Sequence, residues 1–272
     1  MRLTVPAYFD DGIWFPETVA SDKRADVAWS EAARDNAINA AAATTDTNPF
    51  AKFPDWVSAR FAGSAGTFLD AGCGYGRVSV PMLKSNPGLR CVGIDASPVM
   101  LRKFVELARD HGVDDRVELY CGNLDSLPFP EAHFRLILSC AVLLHLPKNE
   151  AKTIVGELRR VLTEDGRLVL AASFPNALNP EGLANVRHNH LRAKNGPVRA
   201  YTRSEVKRLF NGFTRVEIEA HQMIVLPRSI GPFALPFAPI SRRVNRYCSH
   251  KFMAAFKHSS WFVNHHDVVA TK

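Results

Sequence analysis

The chain has 272 residues, 46% of them hydrophobic and 22% charged, with a formal net charge of +7. That length accommodates one α/β core with additions, and that balance lies far from disordered, collagenous or membrane-spanning compositions. The charge is uneven: residues 176–272 hold 15 of the 34 Lys and Arg but only 5 of the 27 Asp and Glu, a net of +10 that leaves −3 for residues 1–175.

The opening MRLTVPAYFDDG has neither the basic nor the apolar region of an export signal, and no run approaches the ~18 apolar residues of a transmembrane helix. A cytoplasmic protein is the expectation. Cys73, Cys91, Cys121 and Cys140 fall in or beside predicted strands and no Cys-x-x-Cys occurs, so reduced, packed thiols are expected rather than disulfides or a metal site.

In chain order, residues 1–66 read as an irregular start with helices at about 24–42 and 54–61, joined by the TTDTNPF loop. From Thr67 short apolar runs alternate with helical patterns. Strands are predicted at 67–71, 89–95, 117–121, 134–141 and 166–173, near-continuously apolar as strands covered on both faces should be. Ser97-Pro98 starts a helix whose stripe is Val99, Leu101, Phe104, Val105 and Ala108, ending near Gly112. A second helix covers 149–162 and closes on the turn Thr163-Glu164-Asp165-Gly166, and Thr202-x-x-Glu205 is a capping box opening a third. Two last strands, roughly 214–226 and 261–271, complete a seven-stranded sheet. The core is therefore 67–226 with 261–272, carrying an insertion at 174–200 and a basic, aromatic one at 227–260.

The chemistry gathers at the end of the first core strand. Asp70 ends it, glycines stand at 72, 74 and 76, and a helix with Val78, Val80 and Leu83 follows. Glycines permit φ > 0 and remove the Cβ atoms that would block a ligand lying against the backbone, and a helix start presents N–H groups. Asp95 stands at the tip of the next strand, where a carboxylate can accept both ribose hydroxyls of an adenosine. A nicotinamide oxidoreductase would carry similar parts, but with G-x-G-x-x-G; the spacing here is G-x-G-x-G.

This pattern resembles the class I S-adenosylmethionine-dependent methyltransferases. FLDAGCGYGRVSV, VGIDASPVML, GNLDSLPFPEAHFRLILSCAVLLHLP and ELRRVLTEDGRLVL occur in the order of that family. The resemblance covers about 67–173 strongly and 200–226 more loosely. It implies a Rossmann-like, doubly wound α/β fold with a mostly parallel sheet, helices on both faces, and N-terminal and C-terminal lid elements. It also implies S-adenosylmethionine as cofactor. Asp70 would help hold the methionine amino group, and the backbone of Gly72, Cys73, Gly74 and Gly76 would approach the methionine and ribose. Asp95 would take the ribose hydroxyls, Ala96 and Met100 would cover one adenine face, Asn123 and Leu124 would meet the adenine edge, and Cys140 would lie near the methionine. Gly122-Asn123 departs from the common Gly-Asp, and an amide oxygen can still accept from the adenine amino group. Arg135 replaces a frequent acidic residue, and Thr163-Glu164-Asp165-Gly166 a Pro-Gly-Gly-like turn.

For the transfer itself, His145 is the candidate base, because it follows the fourth strand at the carboxyl edge where open α/β sheets bind ligands. Packing under the sheet rim is its structural alternative. His188 and His190, in the segment that usually builds part of the acceptor pocket, are candidate substrate ligands, or else solvated histidines. His265 and His266 alternate along the last strand, which argues against a joint metal site. Between 220 and 266 there is no Asp or Glu, yet Arg228, Arg242, Arg243, Arg246, Lys251 and Lys257 stand among Phe233, Phe237, Tyr247, Phe252, Phe256, Trp261 and Phe262. Such a stretch can meet a membrane surface or an anionic acceptor, with any amphipathic helix at about 240–257; a solvated lid is the plain alternative. The expected function is methyl transfer to oxygen or nitrogen of a small-molecule, anionic or lipid-linked acceptor. A nucleic-acid methyltransferase lacks its signature here, and a non-catalytic cofactor-binding module is the other alternative.

Overall fold

A computed structural model describes residues 2–17, 53–179, 182–183, 198–223, 225–226, 229–230, 233–234, 236–256 and 261–272. Two compact units emerge, Met1–Cys140 with Gly156–Val169 and Lys272, and Ala141–Val155 with Leu170–Thr271.

In the first unit, β1 (Ala7–Asp10) and β2 (Ile13–Pro16) form a hairpin, followed by α1 (Phe53–Phe61), β3 (Gly66–Ala71) and α2 (Ser79–Ser85). Then come β4 (Leu89–Asp95), α3 (Pro98–Asp110), β5 (Val117–Cys121) and β6 (Phe134–Cys140). The strand order is β1-β2-β5-β4-β3-β6-β7, where β7 is Leu162–Pro175. The β2–β5, β5–β4, β4–β3 and β3–β6 pairs are parallel, as βα units dictate. Phe68, Leu69, Ile94, Leu119, Ile137 and Leu138 of these strands are buried, and each such side chain contributes about 1.5–3 kcal/mol. Helix α3 forms for the reasons legible in its sequence: Ser97 Oγ accepts from the Met100 N–H at 3.3 Å, Pro98 opens the first turn, and Met100, Leu101, Phe104, Val105 and Ala108 make the buried face.

The second unit holds the later part of β7, α5 (Arg203–Leu209), β8 (Arg215–Met223), a short β9 (Ser229–Ile230) and β10 (Phe233–Ala234) pair, α6 (Ala238–Phe256) and β11 (Val263–Thr271). β11 lies between β7 and β8 and is antiparallel to β8. The capping box at Thr202 and Glu205 is formed in both directions. The connecting helix α4 spans Lys148–Val161.

Two expectations need correction. Among the described residues, positions 2–17 are not irregular but add two strands to the first unit: Asp11 and Gly12, with φ of 44° and 85°, make a two-residue turn that lets β1 and β2 pair. β7 begins at Leu162, so residues 163–166 are strand rather than turn. The helix expected at about 240–257 is α6, Ala238–Phe256, with Pro239 inside its first turn, where a missing N–H costs nothing. The helix expected at 24–42 lies outside the described residues.

Candidate cofactor site

The site is built where β3, β4, β5 and β6 end. After Ala71 the chain turns back on β4: the Gly72 and Cys73 N–H groups both donate to the Ile94 carbonyl, at 2.8 and 3.1 Å. Gly72, Gly74 and Gly76 have φ of 77°, 52° and 80°, the left-handed region that side chains resist. A Cβ at Gly74 would meet nothing within 4 Å, so the loop presents bare backbone to open space at its apex. Gly76 differs. A Cβ there would stand 2.4 Å from the Phe104 ring, so this glycine lets α3 pack against the loop.

Two carboxylates flank the loop. Asp95 Oδ2 accepts from the Gly74 N–H at 2.8 Å and Oδ1 from the Ser97 N–H at 2.9 Å. The aspartate at the tip of β4 thus braces the glycine loop on one side and the start of α3 on the other. Asp70 is 3% exposed, and Ser79 Oγ donates to its Oδ2 at 2.5 Å. Burial lifts its carboxyl from 3.8 to about 7 against the lowering effect of that hydrogen bond; Asp95 adds to the rise and Arg77 opposes it.

Around them, Cys73 is buried, and burial pushes its thiol well up, with Asp95 reinforcing. Its sulfur is accommodated by Gly93 on β4, where a Cβ would come within 2.9 Å of it and 2.7 Å of Leu119 Cδ2. Ala96 is half-buried and Met100, 5% exposed, is packed into α3's inner face, so Ala96 is the more open of the two residues assigned to adenine. Asn123 is half-buried and Leu124 buried just beyond β5, where the Gly122 N–H donates to the Asp95 carbonyl at 3.0 Å. Cys140 ends β6, and its sulfur accepts weakly from Arg77 Nη2 over 3.8 Å.

Asp70, Gly72, Cys73, Gly74, Gly76, Asp95, Ala96, Met100, Asn123, Leu124 and Cys140 therefore belong to one unit. His145 belongs to the other, half-buried in a single 3-10 turn, Leu143–His145. His188 and His190 lie outside the described residues. His265 and His266 are both buried, and among the described residues no group of three metal-ligating side chains occurs. Two residues escaped sequence reasoning: Arg77, which looks like the first residue of a helix, and Gly93, which looks like an ordinary strand glycine.

The donor set fits a nucleoside joined to an amino acid. The Tyr75 hydroxyl, in the middle of the loop, is buried with no hydrogen-bond partner, the apex is open, and a carboxylate stands at each side. A family model described as a methyltransferase domain matches residues 68–166. Ajmaline N-methyltransferase of Rauvolfia serpentina is 28% identical over 131 residues, 48% of this chain and 43% of that protein. The 27-O-demethylrifamycin SV methyltransferase of Amycolatopsis mediterranei (strain S699) is 31% identical over 115 residues, 42% of this chain and 41% of that one. The chain thus spans less than half the length of these curated relatives. The solved geranyl diphosphate methyltransferase in complex with GPP and sinefungin superposes with a TM-score of 0.52 at 18% identity, over 81% of this chain and 77% of that one, a likeness of fold. Residues 68–166 thus match a methyltransferase domain, and the curated relatives over that stretch are methyltransferases.

Proposed function

We propose that this chain transfers a methyl group from S-adenosylmethionine to an oxygen or nitrogen of a small-molecule acceptor that is anionic or lipid-linked. The observation that carries the reading is the open, left-handed Gly74 apex tied to Asp95, with buried Asp70 at the loop's entry. The cofactor supplies an activated methyl and a good leaving group, so the chain's task is to orient the two substrates and exclude water. Asp70 holds the amino-acid end, Asp95 the ribose, and Ala96, Asn123 and Leu124 the adenine, which fixes where the methyl points. His145 accepts the acceptor's proton as its lone pair forms the new bond, and His188 and His190 contact the acceptor.

Helix α6 supports the acceptor class. Arg242, Arg243, Arg246 and Lys251 are all exposed, and Ile240 and Tyr247, each 61% exposed, stand among them. Its inner face is pinned through Asn245, whose Oδ1 accepts from the Val225 and Leu226 N–H groups at 2.8 and 3.0 Å. No acid relieves the cations between 220 and 266, and an anionic surface offsets such crowding.

The test is calorimetry with S-adenosylhomocysteine against NADH, followed by turnover of labelled cofactor on hydroxyl- and amine-bearing acceptors with and without a phosphate or lipid tail. Binding of the homocysteine compound alone, with methylation of the anionic acceptors, supports the reading. Tight NADH binding removes it, and cofactor binding with no turnover on any acceptor leaves a binding module.

A further inference from the structure

We propose that helix α6 is a membrane-docking element that lies flat on an anionic bilayer surface, its cations on lipid phosphates and Ile240 and Tyr247 set into the headgroup layer. The inference deepens the acceptor class proposed above by naming the surface that this helix meets.

Helix α6 is turned inside out. Ser241 and Asn245 are buried while Ile240 and Tyr247 are exposed. Hydrogen bonds hold the helix in that roll: Asn245 Oδ1 accepts from the Val225 and Leu226 N–H groups, Asn245 Nδ2 donates to the Leu226 carbonyl at 2.9 Å, and Ser249 Oγ donates to the Asn245 carbonyl at 2.7 Å. Turning Ile240 and Tyr247 inward would break the bonds of the Asn245 amide, so the fold itself fixes the apolar stripe on the outside.

The charge stands on the same side. Ile240 and Tyr247 are two turns apart on one stripe, and Arg243 and Lys251 lie one turn to either side of Tyr247. Arg242 and Arg246 make a second row at i, i+4, where like charges repel. All four cations are exposed, and residues 220–266 contain no Asp or Glu. Phe252, also exposed, extends the apolar patch, its ring meeting that of Tyr247 edge-on at 6.4 Å. Cations spread along 19 helical residues suit a helix lying in the interface rather than across it.

An anionic bilayer complements both features. Guanidinium forks and a lysine ammonium match lipid phosphates, and the amphipathic ring of a tyrosine and the side chain of an isoleucine reach apolar depth just beneath. A nucleic acid answers the charge but not Ile240, because single strands are held by stacking on aromatic faces and an isoleucine has none. A second copy of the chain answers the apolar stripe but sets its own four cations against these.

The experiment is co-sedimentation of the full chain with vesicles of phosphatidylcholine alone and of phosphatidylcholine carrying about one third phosphatidylserine, across a salt series. Wild type is compared with Ile240→Ser/Tyr247→Ser, with Arg243→Gln/Arg246→Gln, and with Tyr247→Trp, whose added fluorescence is read against brominated lipid. Circular dichroism checks each fold, and calorimetry with S-adenosylhomocysteine each cofactor site. Wild type is expected to bind the anionic vesicles, less as salt rises. The arginine pair is expected to weaken binding about tenfold or more at low salt and to flatten the salt dependence. The apolar pair is expected to weaken it about tenfold and to leave the salt dependence as steep as before. Bromine placed near the headgroups should quench the added indole. Absence of vesicle binding overturns the proposal, and so does wild-type binding by the apolar pair with an unquenched indole, which leaves adsorption by charge alone. Tighter binding to single-stranded RNA than to the anionic vesicles, lost with the arginines and indifferent to the apolar pair, overturns it in favour of a nucleic-acid face. Dimerisation abolished by the apolar pair overturns it in favour of a second copy. Failure of wild type to bind S-adenosylhomocysteine removes the methyltransferase reading, and vesicle binding with the expected losses would still uphold the docking face.

Discussion

The N–H of Gly74 donates to Oδ2 of Asp95 over 2.8 Å, across 21 positions of sequence. One carboxylate sets the shape of the glycine loop, and in the proposed function the same group takes the ribose. Replacing it removes both contributions. Asp95→Ala is expected to cost about 1.5–3 kcal/mol of affinity for S-adenosylhomocysteine, the worth of a charge-assisted contact, together with a lower melting temperature. Calorimetry giving wild-type affinity would remove Asp95 from the site.

The glycines of the loop separate by role. Gly74→Val is expected to abolish cofactor binding while circular dichroism stays native, since its Cβ enters open space and the strain of φ near 52° costs about 1–3 kcal/mol. Gly76→Ala drives a methyl into the Phe104 ring and is expected to destabilise the fold by more, at least about 2–3 kcal/mol of overpacking and strain together. Thermal melts that rank the two variants the other way would show that the loop's roles are misassigned.

Asp70 gives a signed pH dependence. Burial raises its folded carboxyl to about 7 from 3.8, so between these values the native state holds a proton that the unfolded chain has released. Stability from this group is fully present below about pH 4 and is lost as pH rises toward 7. Asp70→Asn should flatten that decline. His266, drawn down to about 4 by burial, acts oppositely, its share appearing as pH rises from 4 to 6.5; it cancels in the comparison of variant with wild type. If Asp70 meets an ammonium group on binding, S-adenosylhomocysteine should expel a proton near neutral pH. Titrations in two buffers of different ionisation enthalpy measure that release; identical heats after correction would contradict it.

The exposed face of α6 makes the last prediction. Flotation with anionic vesicles at low salt should carry the protein upward, and high salt or Arg242→Glu/Arg243→Glu/Arg246→Glu should reverse it, while neutral vesicles should leave it at the bottom. No flotation under any condition, with turnover of a soluble acceptor untouched by the triple change, would make the helix a solvated cover.

The parts of this molecule that sequence reveals are those governed by local rules. Asp70, the three glycines and Asp95 sit where a strand must stop and a helix start, and Ser97-Pro98 or Thr202-x-x-Glu205 announce helices within four residues. The hairpin at Asp11-Gly12 was equally local, but aromatic strands of four residues on each side are short for a periodicity argument. Contacts made in three dimensions were out of reach. Nothing in the spacing of Asp95 and Gly74 says that the side chain of one holds the backbone of the other. The inner face of α6 misleads as well, since Ser241 and Asn245 are buried while Ile240 and Tyr247 are exposed, the reverse of an apolar-inside rule.

Gly93 lies on a central strand, and the space it leaves is filled by Cys73 from the loop and Leu119 from β5. These three positions divide one fixed volume, so evolution cannot edit them separately. A chain that gains alanine at 93 must surrender bulk at 73 and 119, and because 73 is part of the loop, that trade moves the backbone to which the proposed function assigns the cofactor. A substitution in the middle of a sheet, touching no ligand, would then be inherited as a change in the binding loop.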